Sequence, residues 1–207
     1  MSDFFLELFS EEIPPNLQTN ARKKLYLDLK NFFQQNNINV KGSSLSYSTP
    51  NSIIINFTNV SKDVVKKSQE IRGPSINANP EALEGFIKSH NINKSKIELK
   101  QTEKGQFYFY KKPEQKLKTL NMLKENLPII LDNINWNKSM KWGNNKMFWG
   151  RPLKSILAIY NEKKIEFSYH HLKASNYTYI DKDFEEKTKT FNNYKSYHSF
   201  FKSIKII

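Results

Sequence analysis

The run that opens after Asp3 and closes at Phe9 is apolar except for Glu7, and it reads as a buried strand. The next six residues restrict how that strand joins the rest of the chain. Ser10-Glu11-Glu12-Ile13-Pro14-Pro15 turns the backbone, and a proline at the first helical position is tolerated because that N–H has no helical partner. Leu17, Ala21, Leu25, Leu29 and Phe32 then recur at spacings of four, four, four and three, one stripe of a long helix that ends near Asn36-Asn37. Leu45–Tyr47 and Ile53–Phe57 are β-type segments around the turn residues Thr49-Pro50-Asn51. The first sixty residues therefore predict strand, helix and hairpin.

Beyond Ser68, Gly73-Pro74 marks a tight change of direction just after Arg72. Asn79-Pro80-Glu81 has the cap, proline and acid order of a helix start, with Leu83, Phe86 and Ile87 as its apolar face. Ile97-Glu98-Leu99 and Phe107–Tyr110 predict a hairpin with Gly105 at its tip. Leu120, Leu123, Leu127, Leu131 and Ile134 keep helical spacing across Pro128, which requires one kinked helix or two short ones. Ile156–Tyr160 and Ile165–Tyr169 bracket a second hairpin. Adjacent His170-His171, placed in a strand, would point to opposite faces. The expected class is α+β: a mixed, mainly antiparallel sheet with long packing helices. The expected partition is a neutral strand-helix-hairpin unit at 1–60, a basic α+β body at 61–180 packed with it, and the start of a further, truncated segment at 181–207, whose apolar end from Ile204 looks like the beginning of a strand.

The stretch from Met140 to Lys154 concentrates unusual residues, including Trp142, Trp149, Gly143, Gly150 and Arg151 in a chain whose positive charge is otherwise almost all lysine. A guanidinium can fork onto a carboxylate, phosphate or carbonyl and stack on an indole, which an ammonium cannot. Pro152 restricts Arg151 to extended geometry, in a loop or at the start of the following strand. Two readings fit: a buried hinge with Trp142, Phe148 and Trp149 packed under a strand and Arg151 on nearby carbonyls, or a surface that contacts ligand or partner.

The net charge is +13, and all of that excess lies after residue 60. Such a field attracts a polyanion, of which nucleic acid is the commonest in a cytoplasm, although a Lys-rich composition also raises the charge without a partner. There are no cysteines, which excludes disulfides and thiolate metal sites. The start lacks a signal-peptide pattern, no apolar run approaches a bilayer span, and the expected location is the cytoplasm. The six glycines, at 42, 73, 85, 105, 143 and 150, form no phosphate-cradling loop and no dinucleotide fingerprint. Glu11-Glu12 lack a partner His, Lys or metal ligand in register and are read as acids near a helix N-terminus. Spacing alone therefore yields a basic α+β module with no catalytic residue and no metal site.

Six short tags in order carry a resemblance: Phe5–Leu8 with Glu11–Pro15, Ser48-Thr49-Pro50, Ile71-Arg72-Gly73-Pro74, Thr102–Gly105, Met140-Lys141-Trp142-Gly143 and Phe148-Trp149-Gly150-Arg151-Pro152. Together they resemble the beginning of the β subunit of the bacterial heterotetrameric glycyl-tRNA synthetases. The chain departs from that pattern at Asn51-Ser52, where the family commonly has an arginine pair, at Lys141, where it has arginine, and at Tyr179-Ile180-Asp181, where it has a Gly-His-Arg-Phe-like tag. The resemblance implies a ligase that joins glycine to tRNA at the expense of ATP. It implies an α subunit that holds the catalytic site with ATP, glycine and magnesium, a second β subunit, no cofactor in this chain, and a β chain that continues into a helical His-Asp-type domain and an anticodon-binding domain. By residue-level matching, Arg72, Lys141 and Arg151 are the candidates for RNA or partner contact, with Trp142 and Trp149 as packing or stacking platforms. A free-standing basic RNA-binding module and a non-functional truncated product stand as alternatives, and a hydrolase using His170 or His171 would require an activity lost in His171→Ala.

Overall fold

The computed structural model describes residues 2–103, 105–141, 147–180 and 187–204. In chain order the elements that matter here are β1 (Phe4–Ser10), α1 (Pro15–Gln35), β2 (Ser44–Ser48), β3 (Ser52–Phe57), β4 (Asp63–Lys66), β5 (Gln69–Ser75), α2 (Pro80–His90), β6 (Ile97–Thr102), β7 (Gly105–Lys112), β8 (Gln115–Lys118) and α3 (Thr119–Asp132). They continue with β9 (Met140–Lys141), β10 (Phe148–Trp149), β11 (Leu153–Tyr160), β12 (Lys163–Lys164), β13 (Ser168–Tyr169), β14 (Leu172–Lys173), β15 (Tyr177–Tyr179), β16 (Thr188–Thr190) and α4 (Tyr194–Ser203). The α+β class with mainly antiparallel pairing is what the sequence predicts.

By internal contact the chain divides into two units, Met1–Val64 together with Lys118–Ile207, and Val65–Leu117. In the first unit β1 is the middle of a five-stranded sheet of order β12-β11-β1-β3-β2. It pairs antiparallel with β3, Phe4 opposite Phe57, and with β11, Phe4 opposite Tyr160. Every residue of β1 is buried, since both faces of the sheet are covered. On one face Phe4 meets Phe33 of α1 edge-on at 5.9 Å, and the whole stripe Leu17, Ala21, Leu25, Leu29 and Phe32 is buried. Each of the larger side chains contributes roughly 1.5–3 kcal/mol of transfer free energy. On the other face Phe5, Ile54, Leu157 and Ile159 form a cluster with Phe191, Tyr197 and Phe201.

That second cluster revises the expected partition. The segment after residue 187 is not the start of a separate body: α4, an amphipathic helix that the aromatic spacing alone did not announce, roofs the sheet of the first unit, with Tyr197 against Phe5 at 5.0 Å. Likewise the 61–180 body is divided, because β11 and α3 belong with residues 1–64. The reason is pairing between strands some hundred and fifty residues apart, β1 with β11, which no local pattern encodes. Ile204 is the C-cap of α4 at φ −99° and ψ 12°, not an extended residue, and 205–207 lie outside the described residues.

Other expectations are sharpened. Pro128 lies inside one helix, Thr119–Asp132, so the two-helix form is excluded; Leu127, Ile130 and Leu131 on either side of it are buried and hold the element together. The hairpin after β11 is real, with Ile159 opposite Lys164, but its return strand is only Lys163–Lys164. His170 and His171 sit in the turn between β13 and β14, not in a strand, and His170 has φ 52°. His170 Nε2 lies 3.4 Å from Asp132 Oδ1.

The second unit is a three-stranded antiparallel sheet, β5-β7-β6, with α2 packed on β5. Asn79 caps α2 by accepting a hydrogen bond from the Glu81 N–H at 3.2 Å, as the cap-proline-acid order predicts. Gly105 has φ 109°, a conformation that favours glycine, at the start of β7. Among the described residues no helix is long and apolar enough to cross a membrane.

Candidate nucleic-acid and partner interface

Where β1 ends, three sequence-distant tags meet through their backbones. Ser10 N–H donates to Asn51 C=O at 2.7 Å, Glu11 N–H to Pro152 C=O at 3.0 Å, and Ile13 N–H to Pro50 C=O at 2.8 Å. Pro50, Pro152 and Pro14 have no N–H to give, yet their carbonyls accept: Leu17 N–H bonds to Pro14 C=O at 3.0 Å as α1 begins. Ile13, at 1% exposure, anchors the turn in the core. The result is an open cleft of about 340 Å³ lined by Glu11, Glu12, Ile13, Pro14, Pro15 and Arg151. Lys154 Nζ stands 3.8 Å from Glu11 Oε1. Arg151 is half-buried in the bend before β11, the placement that Pro152 predicts. Two carboxylates, a guanidinium and an ammonium thus gather at one open, polar edge.

Beside it, β9 and β10 form a two-residue ribbon with Lys141 opposite Phe148 and Met140 opposite Trp149. Neighbouring strand residues face opposite ways, so one aromatic goes in and the other out. Trp149 is 1% exposed and packs on Trp136 at 5.0 Å and Tyr169 at 6.0 Å; of the two roles, packing and stacking, it has the first. Phe148, which the buried-hinge reading placed in the core, is 59% exposed, with Lys141 Nζ 5.9 Å from its ring centre. Trp142 lies outside the described residues. Gly150 is required by Trp136, because a Cβ there would come within 2.5 Å of the indole.

In the second unit, exposed Arg72 on β5 lays its guanidinium 3.5 Å over the ring of Phe107. The structure thus brings Lys141, Trp149 and Arg151 onto adjoining elements of the first unit, while Arg72 belongs to the second. Among the described residues no group of three or more His, Asp or Glu stands close enough to hold a metal ion.

A titratable group to which the sequence reading gave no role of its own is Glu7. It is 1% exposed on the α4 face of β1, where Ser52 Oγ donates to its Oε1 at 2.8 Å and Tyr197 OH at 2.6 Å. Burial pushes its carboxyl above the ordinary carboxylate value, and the hydrogen bonds only partly oppose this. The signal was a lone acid inside a strand predicted to be buried.

The family model described as glycyl-tRNA synthetase beta subunit matches residues 4–207. The chain belongs to that family. Among curated relatives, the glycine–tRNA ligase beta subunit of Rickettsia typhi (strain ATCC VR-144 / Wilmington) is 40% identical over 183 residues, 86% of this chain and 27% of the relative. Those of Rickettsia peacockii (strain Rustic) and Rickettsia bellii (strain OSU 85-389) are 33% and 37% identical over 96% and 94% of this chain, and 30% and 31% of the relatives. The chain therefore spans under a third of the length of the relatives it matches. The three tags that converge at the end of β1 are among those through which the sequence resembles glycyl-tRNA synthetase β subunits.

Proposed function

We propose that this chain acts as the N-terminal portion of a glycine–tRNA ligase β subunit, contributing tRNA recognition and assembly with a catalytic α subunit. On this reading ATP, glycine and magnesium are handled by the α subunit, a second β subunit completes the heterotetramer, and the assembly works in the cytoplasm. The observation that carries it is the cleft at the end of β1, where Glu11–Pro15, Ser48-Thr49-Pro50 and Gly150-Arg151-Pro152 are hydrogen-bonded into one surface. Arg151 at that cleft, Lys141 on the neighbouring ribbon and Arg72 on the other unit are cations suited to phosphate or carboxylate contact.

The test is co-purification of the chain with an α subunit, together with tRNA binding measured across a salt series. Arg151→Ala should weaken tRNA binding by roughly five- to tenfold and lower the slope of log affinity against log salt by about one. An unchanged affinity and slope with folding intact would remove Arg151 from the interface. Binding of tRNA without capture of the α subunit would leave the free-standing RNA-binding module, a reading that the net charge of +13 also supports.

A further inference from the structure

The β5-β7-β6 sheet has two chemically different faces. Along β7 the side chains alternate, Phe107 and Phe109 to one side and Tyr108 and Tyr110 to the other. Arg72 lies opposite Phe109, and Lys100 opposite Phe107, so both cations share the phenylalanine face. Gly73, next after Arg72, alternates to the tyrosine side, and the register shifts between Arg72 and Ser75. There Phe86 of α2 closes on it so tightly that a Cβ on Gly73 would lie 2.9 Å from the ring. Phe86 thus stands over the tyrosine face at β5, while Leu99 on that face at β6 stays 53% exposed; on the phenylalanine face Phe107 and Phe109 are half-buried, with Arg72 and Lys100 over their rings.

We propose that this phenylalanine face is a stacking surface for single-stranded RNA, with unpaired bases laid on Phe109 and on the Arg72 guanidinium that caps Phe107. The proposal rests on the reading of the chain as an RNA-contacting subunit and names the surface and the kind of RNA. Two aromatics at alternate positions of a central strand present two platforms on one flat face, and every base has a π-face to offer. The Arg72 carbon lies 3.5 Å from the centre of the Phe107 ring, so the cation extends that platform by one layer and brings a charge for the adjoining phosphate. Lys100 Nζ is 5.7 Å from the Phe109 ring centre. The acids of this face are matched within the sheet: Glu70 pairs with Lys100 and stands opposite Lys111, and Glu98 lies 3.9 Å from Lys100. The centre is therefore near neutral, where bases would lie. Exposed Lys66, Lys67, Lys94, Lys96, Lys112 and Lys116 supply positive charge from other parts of the unit, in which 11 Lys and Arg face 6 Asp and Glu. An aromatic centre in a cationic unit suits a nucleic-acid strand better than an apolar protein surface.

The experiment uses the whole chain and a fluorescein-labelled single-stranded decaribonucleotide of mixed sequence, followed by anisotropy, with the same decamer annealed to its complement for comparison. The single strand should bind at least about tenfold tighter than the duplex. Phe107→Leu with Phe109→Leu keeps apolar bulk but removes both π-faces, so it should weaken single-strand binding at least about tenfold and leave the salt slope unchanged. Matched circular dichroism spectra establish that this variant folds. Affinity within twofold of the original chain, or equal binding of duplex and single strand, would overturn the proposal. So would loss of α-subunit capture with RNA binding intact, which would make the face a protein contact. Because the functional reading is tested at Arg151 in the other unit, unchanged tRNA affinity and salt slope in Arg151→Ala, with the decamer still bound, would count against that reading alone.

Discussion

Replacing Gly150 by alanine tests whether the central stretch is organised by close packing on Trp136. The new Cβ would lie 2.5 Å from Trp136 Cε3, 2.7 Å from Cζ3 and 3.2 Å from Cδ2. Carbon pairs are comfortable at roughly 3.5–4.0 Å, so the indole must retreat by about 1 Å. It cannot do so alone, because Trp136 is 8% exposed and lies 5.0 Å from Trp149, which in turn meets Tyr169 at 6.0 Å. Overpacking of this kind costs about 1–3 kcal/mol. Gly150 does not occupy the left-handed region, so alanine also restricts the unfolded chain favourably, by roughly 0.4–1 kcal/mol. The net expectation is a loss of about 0.5–2 kcal/mol. Urea unfolding followed by tryptophan fluorescence reads it cleanly, since Trp136 and Trp149 both belong to the first unit and stand at the site of the change. Removing the obstacle supplies the control: in a Trp136→Leu background the same Gly150→Ala change should be near neutral. Equal cost in both backgrounds, or no cost in either, would refute the argument.

The buried strands and the turn at Gly105 set three other outcomes. Glu7→Gln keeps an acceptor for Ser52 and Tyr197 but cannot ionise. Because burial raises the Glu7 carboxyl above its ordinary 4.5, full stability is present below that pH and is lost as pH rises toward the folded-state value, by about 1.4 kcal/mol per unit. The advantage of Glu7→Gln in urea midpoint should therefore grow with pH above 4.5, and a pH-independent difference would contradict the assignment. Leu157→Ala empties a fully buried site on β11 in the cluster that α4 covers and should cost about 2–5 kcal/mol in the same unfolding assay. Gly105→Ala meets no atom within 4 Å, so its expected cost of about 1–3 kcal/mol is backbone strain at φ 109°; a melting temperature equal to the parent's would show that the turn relaxes.

The elements legible in the sequence were those whose signal is local. The stripe from Leu17 to Phe32 became the buried side of α1, Asn79-Pro80 opened α2, and Gly105 began β7 at positive φ, each within a residue or two of the expected place. Signals that depended on a neighbour brought by folding were misread or missed. The Phe191–Phe201 aromatics looked like a tail because the surface they cover, Phe5, Ile54 and Leu157, is assembled from three distant strands. His170-His171 looked like strand until the reversal into β14 required a positive φ at His170.

Of the candidate site, the sequence singled out Arg151 and the prolines around it, because a rare guanidinium beside a restricted backbone is visible in one dimension. That Arg151 shares a cleft with Glu11 and Glu12 was decided only by the pairing of β1 with β11, which carries Pro152 to the Glu11 N–H. The same alternation that buries Trp149 exposes Phe148, and which of the two goes inward depends on what lies behind the ribbon, here Trp136 and Tyr169. Periodicity and caps act over a few residues and so are written in the chain. Burial of a single side chain, and the company of a single charge, are set by contacts whose sequence separation no local pattern records.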